Sequence, residues 1–191
     1  PITFKMLLTH TSSLFTDYDI GSEKFDFNNE YFPKLGKYLY NILNPGGDYY
    51  IDTVCFHKYK PGSQWNYCGA GYALIGYLVE QISKTPFDVY CQQNIFSPLG
   101  MKNTSWHFSG VDTNIVSRPY HWSEEANGYV DCMLYEYPTY PEGQLKTSVI
   151  ELAKFLYMNM NGGMYDGKQI LQRSTVKLMP SNLVTISDTS F

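Results

Sequence analysis

The sequence has four cysteines, Cys55, Cys68, Cys91 and Cys132, and no two of them stand at C-x-x-C spacing. Structural zinc sites and thioredoxin-like redox sites both need that spacing, so both readings fall away. Disulfides and free thiols stay equally open. Runs of Lys or Arg are also missing, and the formal net charge is −4. Nucleic acid needs a basic face, so it is not an expected partner. No apolar run approaches the roughly 18–20 residues that cross a bilayer. The longest, Ala73 to Val79, contains Gly76 and Tyr77. The chain has no G-x-S-x-G elbow, no Walker lysine loop and no H-E-x-x-H pair. Gly69-Ala70-Gly71 begins like a dinucleotide loop, but Leu74 stands where the third glycine belongs. The four histidines, His10, His57, His107 and His121, are scattered. They read as surface or hydrogen-bonded side chains, and neither a metal nor a cofactor is expected. The first residue is Pro1, with no basic-then-apolar leader behind it. An internal or processed start is expected, and the compartment stays open.

What is present suffices for one core. The chain has 191 residues, 43% of them hydrophobic, which fits a single domain and falls short of two. Its 18 tyrosines read mostly as core filler whose hydroxyls find partners. Apolar spacing predicts a short helix over 4–10, with Phe4, Leu7 and Leu8 on one face. A second helix, 31–44, places Tyr31, Leu35, Tyr38, Leu39 and Ile42 together and stops at Asn44-Pro45-Gly46-Gly47. A third, 70–84, has Leu74, Ile75, Leu78 and Ile82 at helical spacing. Gly71 and Gly76 weaken it by up to about 1 kcal/mol each and make sense only under close packing. Pro86 opens a helix to Phe96. Residues 103–141 read as short strands and irregular pieces whose order in a sheet is not legible. Ser148 and Glu151 form a capping box for a helix with Leu152, Phe155 and Leu156 as its stripe. A turn at Asp166-Gly167 precedes a last helix over 174–179.

Two places invite chemistry. Ser174-Thr175-Val176-Lys177 is the one S-x-x-K in the chain, a spacing that lets a lysine activate a serine on the same helix face. It falls late, after the Gly163 to Gly167 turn, and reads as a chance match. Tyr67 stands where a loop meets a helix N-terminus. A free phenol titrates near about 10 and is a poor base at neutral pH. A helix N-terminus and a nearby ammonium both favour the phenolate. A tyrosine so placed can take a proton from a serine and pass it to a leaving group. The local sequence fits a buried tyrosine with a satisfied hydroxyl as well.

Four segments, in order, cover nearly the whole chain and resemble the serine β-lactamase and penicillin-binding protein family, in its class C and esterase-like branch. Ile2-Thr3-Phe4-Lys5-Met6-Leu7-Leu8-Thr9-His10-Thr11-Ser12-Ser13-Leu14 is similar to I-T-x-x-x-L-L-T-H-T-S-G-L. The stretch from Pro61-Gly62 through Tyr67-Cys68-Gly69 to Gly71-Tyr72-Ala73-Leu74 resembles P-G-x-x-x-x-Y-S-N-x-G-Y-x-L. Ile95-Phe96-Ser97-Pro98-Leu99-Gly100-Met101 and Thr104 resemble I-F-x-P-L-G-M-x-x-T. Pro141, Gly143, Leu145, Thr147 and the Leu152-Ala153-Lys154-Phe155 run resemble P-x-G-x-L-x-S/T-x-x-D-L-A-x-F.

The resemblance implies an α+β, β-lactamase/transpeptidase-like fold: a helical region beside part of an antiparallel sheet, with residues 1–191 as the central part of one domain. It implies acyl transfer through a serine ester on a small ester, amide or D-amino-acid peptide, with Tyr67 as the general base. Three departures accompany it. The family's S-x-x-K helix is expected before Ile2, and its K-T-G or H-x-G strand after Phe191. The chain is thus expected to be incomplete at both ends, with those segments or other protein chains as its partners. The family's asparagine in Y-x-N, which contacts substrate, is Gly69 here. Gly69 therefore marks the substrate-binding position while offering no side-chain amide. Two readings follow: a segment of a serine hydrolase whose nucleophile lies outside the chain, or an inactive relative serving as a structural or binding subunit.

Overall fold

A computed structural model describes residues 1–15, 25–26, 34–132 and 134–181, with residues 25–26 described as backbone alone. Tyr31, which the sequence places on the second helix, lies outside them. The architecture is α+β. The helices are α1 (Phe4–Leu8), α2 (Leu35–Leu43), α3 (Asp52–Cys55), α4 (Gly69–Ser83), α5 (Phe87–Cys91), α6 (Val149–Met160) and α7 (Arg173–Leu178). α5 continues directly into a π-helical turn, Gln92–Phe96. Strands pair two by two, all antiparallel. β1 (Phe25–Asp26) pairs with β4 (Tyr135–Glu136), β2 (Tyr120–Ser123) with β3 (Gly128–Asp131), and β5 (Met164–Tyr165) with β6 (Lys168–Gln169). The β5–β6 hairpin turns at Asp166-Gly167, both at positive φ (46° and 73°), the pattern of a type I′ loop.

α2 packs as its spacing predicts. Leu35, Tyr38, Leu39 and Ile42 are all buried. Gly36 lets it close on α4, for a Cβ there would overlap the ring of Tyr77. The other stripes need correction. On α1 only Leu7 is buried, and Phe4 and Leu8 face outward.

On α4 the most buried face is made of small residues: Gly69, Ala70, Gly71, Ala73 and Gly76. Leu74, Ile75 and Leu78 pack beside it only partly buried, and Ile82 is 73% exposed. Gly76 owes its place to a short 3₁₀ turn, Tyr140–Glu142, that runs against the helix. An added Cβ at 76 would lie 2.6 Å from Cγ of Pro141. A proline ring cannot swing away, so Gly76→Ala should destabilise the fold by about 1–2 kcal/mol in urea melts. That is an overpacking cost larger than the gain of about 1 kcal/mol in helix propensity.

α6 begins at the expected Ser148 cap, whose hydroxyl accepts from the Glu151 N–H at 3.2 Å. The expected reciprocal bond is replaced. The Glu151 carboxylate turns inward and accepts from Lys102 N (2.7 Å), Asn103 N (3.1 Å) and the Thr104 hydroxyl (2.5 Å). Thr104 also meets the Thr147 hydroxyl at 2.7 Å. The inward stripe of α6 is thus Glu151, Phe155 and Met158, while Leu152 and Leu156 are exposed.

A second polar knot ties β4 to the 105–108 loop. Glu136 accepts from Phe108 N at 2.6 Å, meets His107 Nδ1 at 3.1 Å and faces Lys146 Nζ at 3.7 Å. Burial lowers the Lys146 ammonium below its ordinary range, and Glu136 offsets part of that. Lys146 also donates to the Trp106 carbonyl at 2.6 Å and sits over the Phe108 ring.

The four cysteines are free thiols; Cys55, Cys68 and Cys91 are buried. Among the described residues no helix is long and apolar enough to cross a membrane.

Candidate active site at the mouth of helix α4

Helix α4 starts at a junction built by three separate pieces of chain. The first is the turn after α1. His10 adopts the left-handed conformation, φ 53°, which throws its ring back over the incoming 65–68 segment. Its carbonyl accepts from Asn66 N at 2.8 Å, and the Thr11 carbonyl accepts from Gly62 N at 2.7 Å. These bonds fix the loop that carries Tyr67.

The His10 ring lies 4.7 Å from the Tyr67 ring and 5.1 Å from the Tyr72 ring, with Trp65 edge-on at 6.0 Å. Its Nδ1 accepts from the backbone N–H of Cys68, the N-cap of α4, at 3.2 Å. An acceptor lone pair on Nδ1 places the proton of the neutral ring on Nε2. Tyr72 closes the junction by donating its hydroxyl to the Leu8 carbonyl at 2.9 Å.

Burial lowers the His10 pKa below its ordinary 6.5. A ring whose folded pKa is depressed contributes stability above the unfolded value and loses it as pH falls through the folded one. His10→Phe keeps a ring but removes the acceptor and puts a bulky residue at positive φ. It should cost about 1–3 kcal/mol at pH 8 by chemical denaturation. The gap to wild type should narrow as pH drops below 6.5.

Tyr67 itself is 48% exposed. The reading of Tyr67 as a sealed core tyrosine is therefore excluded. Cys68 is extended (φ −147°, ψ 110°) and buried. Cys68 points into the core, between the half-exposed Tyr67 and the buried first residue of α4, Gly69.

Gly69 is buried, and a Cβ built on it would overlap Oε2 of Glu142. Glu142 comes from the third piece, the 3₁₀ turn. Its Oε1 accepts from the Thr139 hydroxyl at 2.5 Å. Burial raises the Glu142 carboxyl above its ordinary range, and the Thr139 bond offsets part of that. The sequence brings Tyr67 and Gly69 together; Glu142 and the tight engagement of His10 are not read from it. Glu142 is 73 positions beyond Gly69 in the chain, and its one local signal is an acid next to Pro141 at a turn.

Ser174 and Lys177 lie on α7, both exposed. No bond or ring contact joins them to the α4 junction. A cavity of about 340 Å³ opens elsewhere, between α5 and the 102–110 loop, lined by Asp88, Gln92, Lys102, Trp106 and His107. It excludes Tyr67 and Gly69, so volume alone does not mark the chemical junction. Among the described residues no three His, Cys, Asp or Glu side chains gather as a metal site would require.

Comparison with known proteins bears on the fold and the family. The penicillin-binding protein of Bacillus halodurans superposes with TM-score 0.72 at 20% identity, over 98% of this chain and 53% of that one. A D-stereospecific amidohydrolase from Streptomyces gives 0.67 at 19% identity, over 98% of this chain and 53% of that one. At such identities these structures attest the fold. A Salmonella schwarzengrund protein named "Putative D-alanyl-D-alanine carboxypeptidase" is 40% identical over 47 residues, 25% of this chain and 11% of that protein. The chain thus spans about half the length of those two solved structures and a small part of the curated relative. The sequence model of the Beta-lactamase family matches residues 1–190, and the chain belongs to that family.

Proposed function

We propose that this chain is the central part of a serine hydrolase domain that works through an acyl-enzyme. The nucleophilic serine and its lysine come from polypeptide outside residues 1–191. Tyr67 is the general base. It takes the serine proton as the hydroxyl attacks an ester or amide carbonyl, and delivers it to the departing alcohol or amine. Water then releases the acyl group.

The observation that carries this reading is the half-exposed phenol of Tyr67 at the entrance of α4, backed by the fixed ring of His10. Residue 67 directly precedes the N-cap of α4, where the positive end of the helix dipole lies. The names of the structural neighbours, an amidohydrolase and a penicillin-binding protein, point to the same acyl chemistry.

The test is intact-protein mass after incubating the whole parent protein with a fluorophosphonate and, separately, a penicillin. A single covalent adduct on a serine outside residues 1–191 is the expected result. An adduct mapped to Ser174 would reverse the assignment of the nucleophile. No adduct with either reagent would favour the second reading, an inactive relative that binds or builds. Gly69 supports that alternative, since the family's asparagine is missing there.

A further inference from the structure

We infer that the carboxyl of Glu142 takes over the position of the missing side chain at residue 69, making an anionic subsite beside Tyr67 for a ligand that carries a free ammonium group. The inference rests on the reading of Tyr67 as the reacting centre and names the substrate class for it.

Three observations converge. First, Gly69 opens α4 two residues after Tyr67, with only the N-cap Cys68 between them. Second, Oε2 of Glu142 stands where a Cβ on Gly69 would go, so the carboxyl fills the space of that missing side chain. The resemblance places an amide here, a group that both donates and accepts. An ionised carboxylate only accepts and carries charge. The exchange turns a subsite fit for a neutral amide into one that attracts a cation.

Third, the ion pairs among the described residues leave Glu142 without a lysine, arginine or histidine. Among the described residues its side chain has one bond, from Thr139 to Oε1. A partly buried carboxyl with no cationic side chain beside it is costly to ionise, and burial raises its pKa. An incoming ammonium supplies the missing charge and forms charge-assisted hydrogen bonds. The ligand that fits is an aminoacyl amide or ester with a free amine near the scissile carbonyl, as opposed to its N-acylated counterpart.

The experiment compares binding of D-alaninamide and N-acetyl-D-alaninamide to the whole parent protein by ligand-observed NMR titration. Wild type is expected to bind the ammonium ligand at least about tenfold more tightly, the usual worth of one charge-assisted contact. Glu142→Gln keeps the shape and the Thr139 bond and should bring the two affinities within about twofold. Gly69→Ala leaves the charge but displaces the carboxyl, and should shrink the preference too.

Equal binding of both ligands to wild type would overturn the proposal, meaning that the counter-charge comes from within the protein. So would a preference that survives Glu142→Gln, or no binding of either ligand. The fluorophosphonate adduct separates the two claims. An adduct without ammonium preference sinks only the subsite. Preference without an adduct leaves an ammonium-binding relative that is not a hydrolase.

Discussion

Tyr67→Phe should lower acylation of the intact protein by about 10²-fold or more while leaving its thermal midpoint within about 2 °C. General base catalysis contributes on the order of 10²–10⁴ in rate. The substitution removes one oxygen and keeps the ring that lies tilted against His10 at 4.7 Å. The side chain is half exposed, so little desolvation changes. The clean measurement is the rate of adduct growth with a fluorophosphonate, followed by mass, beside a thermal melt. A normal rate would take Tyr67 out of the mechanism. A slow rate with a large melting shift would make the residue a strut for α4.

Glu151→Ala should be the most destabilising single change among those considered, by about 3–5 kcal/mol. The residue is 8% exposed and its carboxylate is the acceptor for two backbone N–H groups and one hydroxyl. Removing it strands the two N–H donors, each costing about 1–3 kcal/mol; Thr104 keeps its partner in Thr147. In a chain of this length the midpoint should fall by roughly 10 °C.

The pH dependence has a definite sign. Burial would raise the Glu151 carboxyl, but the bonds from Thr104, Asn103 and Lys102 together outweigh it and hold the pKa below the ordinary 4.5. Its contribution is therefore complete above pH 4.5 and is lost as pH falls through the lower folded value. The stability gap between wild type and Glu151→Ala should close in that acid window. A constant gap would mean that packing, and not charge, holds the joint.

The same residues show what a single sequence exposes. α2 is legible because large apolar side chains do its packing, and a 3.6-residue period detects them. α4 is legible in extent but not in orientation. Its tightest face is Gly69, Ala70, Gly71, Ala73 and Gly76, and small residues carry almost no weight in an apolar count. α6 misleads for the opposite reason: a charged residue takes the inward position, because the 102–104 loop offers it donors. Such partners come from 47–49 positions away, and no local window contains them. Tyr67 stands out because its motif is contiguous. Glu142 does not, because its meaning depends on which residue lies across from it.

That last dependence has a historical side. Residues 69 and 142 cannot vary freely of each other. A lineage introducing asparagine at 69 while 142 stayed glutamate would force two polar groups into one space. Shortening 142 first would leave a hole at the threshold of the helix. The order of mutational steps is thus constrained, and relatives that differ at one of these positions should be found to differ at both.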